Sequence, residues 1–310
     1  MAELRLDGKV ALITGSGRGL GRAYAHLLAS RGAKIVVNDP GVSLSGEGGD
    51  RQPALDVVSE IEEMGGVATA NFDSVATTAG AQAMIAQALD EFGGIDIVVN
   101  NAGNFLPKHS FIDSSEEAFA SIWQVHVMGS INVIRAAWPH MCRQGSGRIV
   151  NTCSHVGYLG NDGLIEYATA KAAIHGLTRT LAAEATAFGI AVNAVAPAGM
   201  TRPNAADPAI AERFAEDGSF HVDLVSPTVL WLAHQDCDVS GEIFGVMAGT
   251  TTRIIVAETK GYTSRTPTPE AIRDHFDTIL GRETVAGSGL DTGTSGEGRG
   301  MALITRYDAV

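Results

Sequence analysis

The chain has 310 residues but only three cysteines, no excess of positive charge and no long apolar run. Each shortage excludes something. Cys142, Cys153 and Cys237 form no C-x-x-C pair and leave one thiol over in any disulfide scheme, which points to a reducing compartment. A formal net charge of −13 provides no basic face for a nucleic acid. No segment approaches membrane-spanning length, and the opening "MAELRLDGKVALITG" lacks a secretory apolar core, so no membrane partner and a cytoplasmic location are expected. The final "RYDAV" matches no peroxisomal tripeptide. Nine scattered histidines show no H-E-x-x-H or Cys/His ligand spacing, so no metal is expected.

What the chain does have is alternation. Short β-branched runs at 9–14, 34–39, 67–72, 95–100, 147–152 and 190–195 read as buried strands. Amphipathic stretches of helical length lie between them, near 19–31, 53–64, 77–92, 115–143 and 164–188, and Gly32, Gly65 and Gly189 close three of them. "SSEE" opens the fourth with a capping-box pattern from Ser114 to Glu117. Such alternation specifies an α/β fold with a mainly parallel, doubly wound sheet. Sheets of this kind bind ligands beyond the carboxyl ends of their strands, so those loops hold the candidate site.

The first of these loops is "TGSGRGLG" (14–21). Gly15, Gly19 and Gly21 there would let backbone amides and a helix N-terminus approach phosphates, although a purely structural turn remains an alternative. Asp39 ends the second strand, where a carboxylate can accept both ribose hydroxyls of NAD and repel the extra phosphate of NADP. Arg18 pulls the other way, and Asp39 is weighed more heavily. Asp73 and "NNAG" (100–103) would line the adenine or ribose, or simply cap turns. After the fifth strand, Tyr167 and Lys171 stand four apart on one helix face and Ser154 precedes Tyr167 by thirteen residues.

"TGSGRGLG", "NNAG", Ser154, "YATAK" and "VNAVAPAGMT" together resemble the short-chain dehydrogenase/reductase family over about residues 6–250. The resemblance implies a single Rossmann-like domain with a seven-stranded, mainly parallel sheet. It implies Tyr167 as general acid/base, Ser154 holding the substrate oxygen and Lys171 binding the nicotinamide ribose. Cofactor contacts would come from Gly15, Arg18, Gly19, Leu20, Gly21, Asp39, Asp73, Ser74, Asn101, Ala102 and Gly103. Pro197 and Thr201 would sit at the nicotinamide. "PAGMT" departs from the family's Pro-Gly pattern, which leaves the roles of Ala198 and Gly199 open.

His126 begins "HVMG", where many family members have N-x-x-G and use the asparagine in a proton relay to the lysine. It reads either as a core histidine with a hydrogen-bond partner or as a replacement in that relay, with its backbone carbonyl still available to a water. Histidine at this place, with "VVNDPG" (36–41), a Gly/Ser-rich insertion (41–52), "ANFDSV" (70–75), "RAAWPHM" (135–141) and "VLWLAHQDC" (229–237), is similar to one branch of the family. That branch comprises the (3R)-hydroxyacyl-CoA dehydrogenase modules of peroxisomal multifunctional enzymes of type 2. "TPEAIRDHFDTI" (268–279) looks like the C-terminal helix of those modules.

The branch implies a (3R)-3-hydroxyacyl-CoA oxidised with NAD to the 3-ketoacyl form. A 17β-hydroxysteroid or another bulky secondary alcohol is the alternative. A non-catalytic NAD-sensing regulator, or an interaction module using 250–310, are readings of another class. Expected organisation is a catalytic domain (1–250), an extension packed on it (251–285) and a Gly/Ser-rich tail (286–310). Residues 197–225 are expected to form a mobile specificity lid, in which Arg202 meets a CoA phosphate or pairs with an acid. A homodimer or homotetramer is expected by analogy with the family.

Overall fold

The computed structural model describes residues 3–205, 211, 212, 218 and 220–281. Eight strands form one sheet: β1 (Val10–Thr14), β2 (Lys34–Asn38), β3 (Val67–Asn71), β4 (Ile97–Asn100), β5 (Gly147–Thr152), β6 (Ile190–Ala198), β7 (Ile243–Met247) and β8 (Thr250–Ile254). Their order is β3-β2-β1-β4-β5-β6-β7-β8, and the first seven run parallel. β1 and β4 are buried at every position, as strands covered on both faces must be.

The six runs expected from the sequence are β1 to β6. β7 escaped that pattern because Gly245 interrupts its apolar run, and a Cβ there would lie 2.8 Å from Nε2 of His155. β8 is one strand beyond the expected seven and makes the edge. It follows β7 through the two-residue turn Ala248-Gly249, whose φ angles are 49° and 72°. Two positive φ values match the tight hairpin turn, so β8 runs antiparallel to β7.

Helices cover both faces. On one, α1 (Gly19–Ser30) and α2 (Gln52–Glu63) bury Tyr24, Leu28, Val57 and Ile61 with Ile13, Ile35 and Val37 of the sheet. On the other, α3 (Thr78–Phe92) supplies Met84 and Ile85 against Leu12, Val36 and Val98. Each such fully buried side chain contributes about 2 kcal/mol of transfer free energy. Gly32, Gly65 and Gly189 all take positive φ (95°, 81° and 67°) after their helices, as expected of C-terminal glycines.

The stretch expected to be one helix over 115–143 is divided. α4 (Glu116–Trp123) and α5 (Gly129–Gln144) flank a π-helical turn at Gln124–Met128, and His126 sits in that turn. π turns insert a residue and re-aim side chains, frequently at functional sites. The capping residue also differs. Ser115, not Ser114, accepts the amide hydrogen of Ala118 at 3.2 Å, while the Ser114 hydroxyl donates to Glu166.

After β5 come a short turn of helix, α6 (Val156–Leu159), and the long α7 (Ile165–Ala185). α8 (Arg202–Ala205) follows β6, and α9 (Ser226–Ala233) returns to the first face of the sheet. Much of the expected lid at 197–225 lies outside the described residues, as does the tail at 286–310.

The chain divides into a unit of Met1–Arg253 and one of Ile254–Val310. In the second, the helix expected at 268–279 is two pieces, α10 (Pro269–Asp274), capped by Thr268, and α11 (Phe276–Leu280). The break falls at His275, whose ring stacks on Tyr262 at 4.2 Å.

Candidate active site

The carboxyl ends of β1 and β4 face the point where strand order reverses, and the glycine turn lies there. Gly15 and Gly21 are glycine because nothing larger fits. A Cβ on Gly15 would lie 2.9 Å from Cα of Ala102, and one on Gly21 would lie 2.4 Å from the carbonyl oxygen of Gly15. Asn101 fastens the turn to β4, its side-chain amide donating to the carbonyls of Thr14 (2.9 Å) and Gly15 (3.0 Å). The amides of Asn101 and Ala102 both donate to Oγ1 of Thr14. α1 begins at Gly19 with Leu20 in its first turn, and its N-cap, Arg18, offers no side-chain acceptor. The first amides of α1 therefore lack a cap, the condition for receiving an anion.

Asp39 is buried beside this turn. One carboxylate oxygen accepts from the Gly17 amide at 2.9 Å and the other from the Gly41 amide at 2.8 Å. Arg18 is turned aside to Asp50, 3.7 Å away. Arg202 donates from Nη1 to the carbonyl of Val42 at 3.2 Å and stands near enough to Asp39 to feel its charge. Asp73 and Ser74 stand one strand further out. Asp73 accepts from Asn71, its carbonyl accepts from Asn38 at 2.9 Å, and Ser74 holds the amide of Ala76. Pro197 lies in β6 opposite Val246, and Thr201 reaches the glycine turn, its methyl 4.0 Å from where a Gly19 Cβ would stand.

The candidate reacting groups converge at the ends of β5 and α7. The Ser154 hydroxyl stands beside the Tyr167 phenol and accepts the amide hydrogen of Val156 at 3.3 Å. Nζ of Lys171 lies 5.6 Å from the centre of the Tyr167 ring and donates to the Thr152 carbonyl at 2.7 Å. Burial pushes the Tyr167 phenol up to about 12, partly offset by Ser154, and pushes Lys171 down to about 8.

His126 packs edge-on to Tyr167, with ring centres 5.4 Å apart and planes at 89°. It explains Gly103, where a Cβ would come within 2.4 Å of the imidazole. Nε2 donates to the carbonyl of Asn104 at 2.8 Å. Burial, and then the nearby Lys171 charge, push its pKa down to about 3, so the ring is neutral at ordinary pH. With the proton on Nε2, Nδ1 is a buried acceptor that has no hydrogen bond among the described residues. The His126 carbonyl accepts from the hydroxyl of Ser130 at 2.7 Å.

Four contributors went unread in the sequence. Asn104 supplies the acceptor for His126, and Phe105 closes the other side of Tyr167 at 5.6 Å. Glu166 and His109 pair at 2.8 Å immediately beside Tyr167. Only Glu166 left a trace, as an acid directly preceding the tyrosine in "EYATAK".

The profile of the short chain dehydrogenase family matches residues 9–212. The chain belongs to the short-chain dehydrogenase family. It is 42% identical over 90% of its length to the peroxisomal multifunctional enzyme type 2 of Mus musculus, of which it covers 37%. It is 40% identical over 89% of its length to the peroxisomal hydratase-dehydrogenase-epimerase of Saccharomyces cerevisiae, of which it covers 30%. The chain thus spans about a third of the length of these two relatives. A short chain dehydrogenase from Mycobacterium avium has the same fold, with a TM-score of 0.76 and 34% identity over 89% of this chain and 96% of that one.

This short-chain dehydrogenase is an oxidoreductase of a family that binds a nicotinamide dinucleotide, and its residues fit one. The glycine turn leaves no room for side chains, the first turn of α1 has no side-chain cap, and a buried carboxylate stands at the end of β2. No helix among the described residues is long and apolar enough to cross a membrane.

Proposed function

We propose that this dehydrogenase uses NAD to interconvert a secondary alcohol and a ketone, with a (3R)-3-hydroxyacyl-CoA and its 3-ketoacyl-CoA as the pair. The observation that carries the reading is the buried Tyr167 phenol with Ser154 beside it and Nζ of Lys171 5.6 Å from its ring centre. Bound NAD would supply the acceptor for the hydride. Tyr167 takes the alcohol proton as general base and returns it as general acid in reduction. Ser154, beside the Tyr167 phenol, holds the same oxygen. Lys171 stays mostly protonated at neutral pH because its pKa, although lowered to about 8, remains above 7. Its charge beside Tyr167 favours the phenolate against the cost of burial.

His126 serves a relay behind Lys171, its free Nδ1 accepting from a water that its carbonyl can also bind. NAD is favoured over NADP because Asp39 would face a 2′-phosphate, while Arg18 is occupied by Asp50. The acyl-CoA assignment rests on likeness to the mouse and yeast enzymes. A bulky hydroxysteroid is the second reading, supported by the exposed apolar Phe111, Ile112 and Leu159 on the loops after β4 and β5. A homo-oligomer belongs to the same proposal. Both named relatives are peroxisomal, and the location of a fluorescent fusion tests whether this chain is cytoplasmic instead.

The deciding assay follows reduced-nicotinamide absorbance with NAD or NADP against a (3R)-3-hydroxyacyl-CoA and a 17β-hydroxysteroid. Thioester turnover with NAD is the expected result. Steroid-only turnover keeps Tyr167 and replaces the substrate. NAD binding without any turnover would leave a sensing role.

A further inference from the structure

The segment between β4 and α4 carries Phe111 and Ile112, which are 73% and 86% exposed. Exposed apolar side chains on a free loop would be mobile, but this loop is tied down. Glu166, only 4% exposed, stands in the first turn of α7, directly before Tyr167. Its Oε1 accepts from Nε2 of His109 at 2.8 Å and also from the hydroxyl of Ser114. Nδ1 of His109 faces the carbonyl of Pro107 at 2.9 Å, and the His109 amide donates to the carbonyl of Gly163 at 3.2 Å. Both ends of the exposed turn, residues 109 and 114, are thus fixed to one carboxylate.

A carbonyl and a carboxylate can only accept, so both ring nitrogens of His109 are used fully only by the imidazolium. Glu166 from α7 and Asp113 from the loop itself are the charges that act on it. The Pro107 carbonyl, then Glu166, hold His109 above its ordinary value. Hydrogen bonds from Ser114, its own amide and His109 keep Glu166 below the usual range, against the upward push of burial. The pair therefore persists to higher pH than an ordinary histidine would allow and loosens as rising pH removes the His109 proton.

We infer that His109, Ser114 and Glu166 form a latch that fixes the loop bearing Phe111 and Ile112 relative to Tyr167, so that these two side chains make an apolar wall for the arm of a long substrate. The inference rests on the proposed role of Tyr167 and deepens it by naming what sets chain-length preference. The three latch residues are positioning residues. They hold the wall, while Ser154 and Lys171 hold Tyr167, so the latch should act on KM and leave kcat nearly alone.

Two measurements on the whole chain test it. Hydrogen exchange of amides 104–115, corrected for intrinsic rates, is compared between wild type, H109Q and S114A at pH 6 and pH 9. The wild type should lose protection at the higher pH, and both variants should already have lost it at pH 6. Equal protection throughout overturns the latch, whether or not any alcohol is turned over, so this arm is independent of the proposed activity. The second compares KM for a long and a short secondary alcohol of one series. H109Q should raise KM about tenfold for the long substrate alone, the loss of part of one apolar contact, with kcat within about twofold. Lost protection with both KM values unchanged would keep the latch and overturn the wall.

Discussion

Buried histidines normally satisfy both ring nitrogens, and His126 satisfies one. The price of keeping it neutral sets a stability prediction. Its folded pKa, about 3, lies below the value near 6.5 of an unfolded histidine, so the unfolded chain binds the proton first as pH falls. Stability from this group is present above pH ~6.5 and declines below it, by about 2 kcal/mol at pH 5. Urea unfolding of wild type and His126→Asn at pH 7 and pH 5 checks this. The gap between them should shift by that amount in favour of the variant, and a constant gap would mean that the imidazole is solvated. Catalysis gives the second residue-level expectation. Tyr167→Phe should lower kcat/KM about 10²- to 10⁴-fold, and Lys171→Met should move the pH dependence of alcohol oxidation upward, because the charge favouring phenolate is gone. Unchanged pH dependence in Lys171→Met would remove the lysine from the proton's path. Ser154, Tyr167 and Lys171 were legible because two share a helix face and the third lies in the loop just after the strand before it. Asn104, whose carbonyl receives His126 from 22 residues away, left no pattern because a backbone acceptor has no side-chain signature.

At the scale of elements, tertiary competition decided what local patterns left open. Only Ser114 in "SSEE" precedes a glutamate by three, yet Ser115 caps α4 because Glu166 already takes the hydroxyl of Ser114. The π turn was invisible because an inserted residue leaves the apolar character of 121–138 intact. The insertion after β2, read only as Gly/Ser-rich, is hydrogen-bonded across several strand ends. Arg202 reaches Val42, the amide of Phe105 donates to Leu44 at 2.8 Å, and Asp50 faces Arg18. β8 shows the opposite case, a turn whose residue is poorly matched to its backbone. Ala248 holds φ at 49°, and an L-alanine pays for the left-handed region where asparagine is favoured. Ala248→Asn should therefore stabilise the protein by about 0.5–1 kcal/mol, seen as a higher urea midpoint with the same slope. No gain would show that the hairpin unfolds apart from the main transition.

The whole molecule explains why an acidic chain can still hold an anionic cofactor. The binding surface is made of backbone amides at one end of the sheet and needs no basic face. Buried amides stiffen that end. Asn38 donates to Asn71 at 2.8 Å, Asn100 to Asn151 at 2.9 Å, and Asn151 to Thr178 on α7 at 3.0 Å. A cavity of about 320 Å³ lined by Leu6, Lys9, Asp96 and Arg148 opens at the opposite end, among the amino ends of the strands, and is remote from the reacting groups. Cofactor choice is then a property of three segments acting together: the glycine turn with Arg18, the end of β2 with Asp39, and the insertion with Asp50. Asp39→Ala removes the carboxylate that a 2′-phosphate would meet, and kcat/KM with NADP should rise about tenfold or more while that with NAD falls. Adding Asp50→Ala releases Arg18 and should raise the NADP value further without a matching change for NAD. If the second substitution changed both cofactors equally, Asp50 would be holding the insertion in place instead of restraining Arg18, and the preference would lie with Asp39 alone.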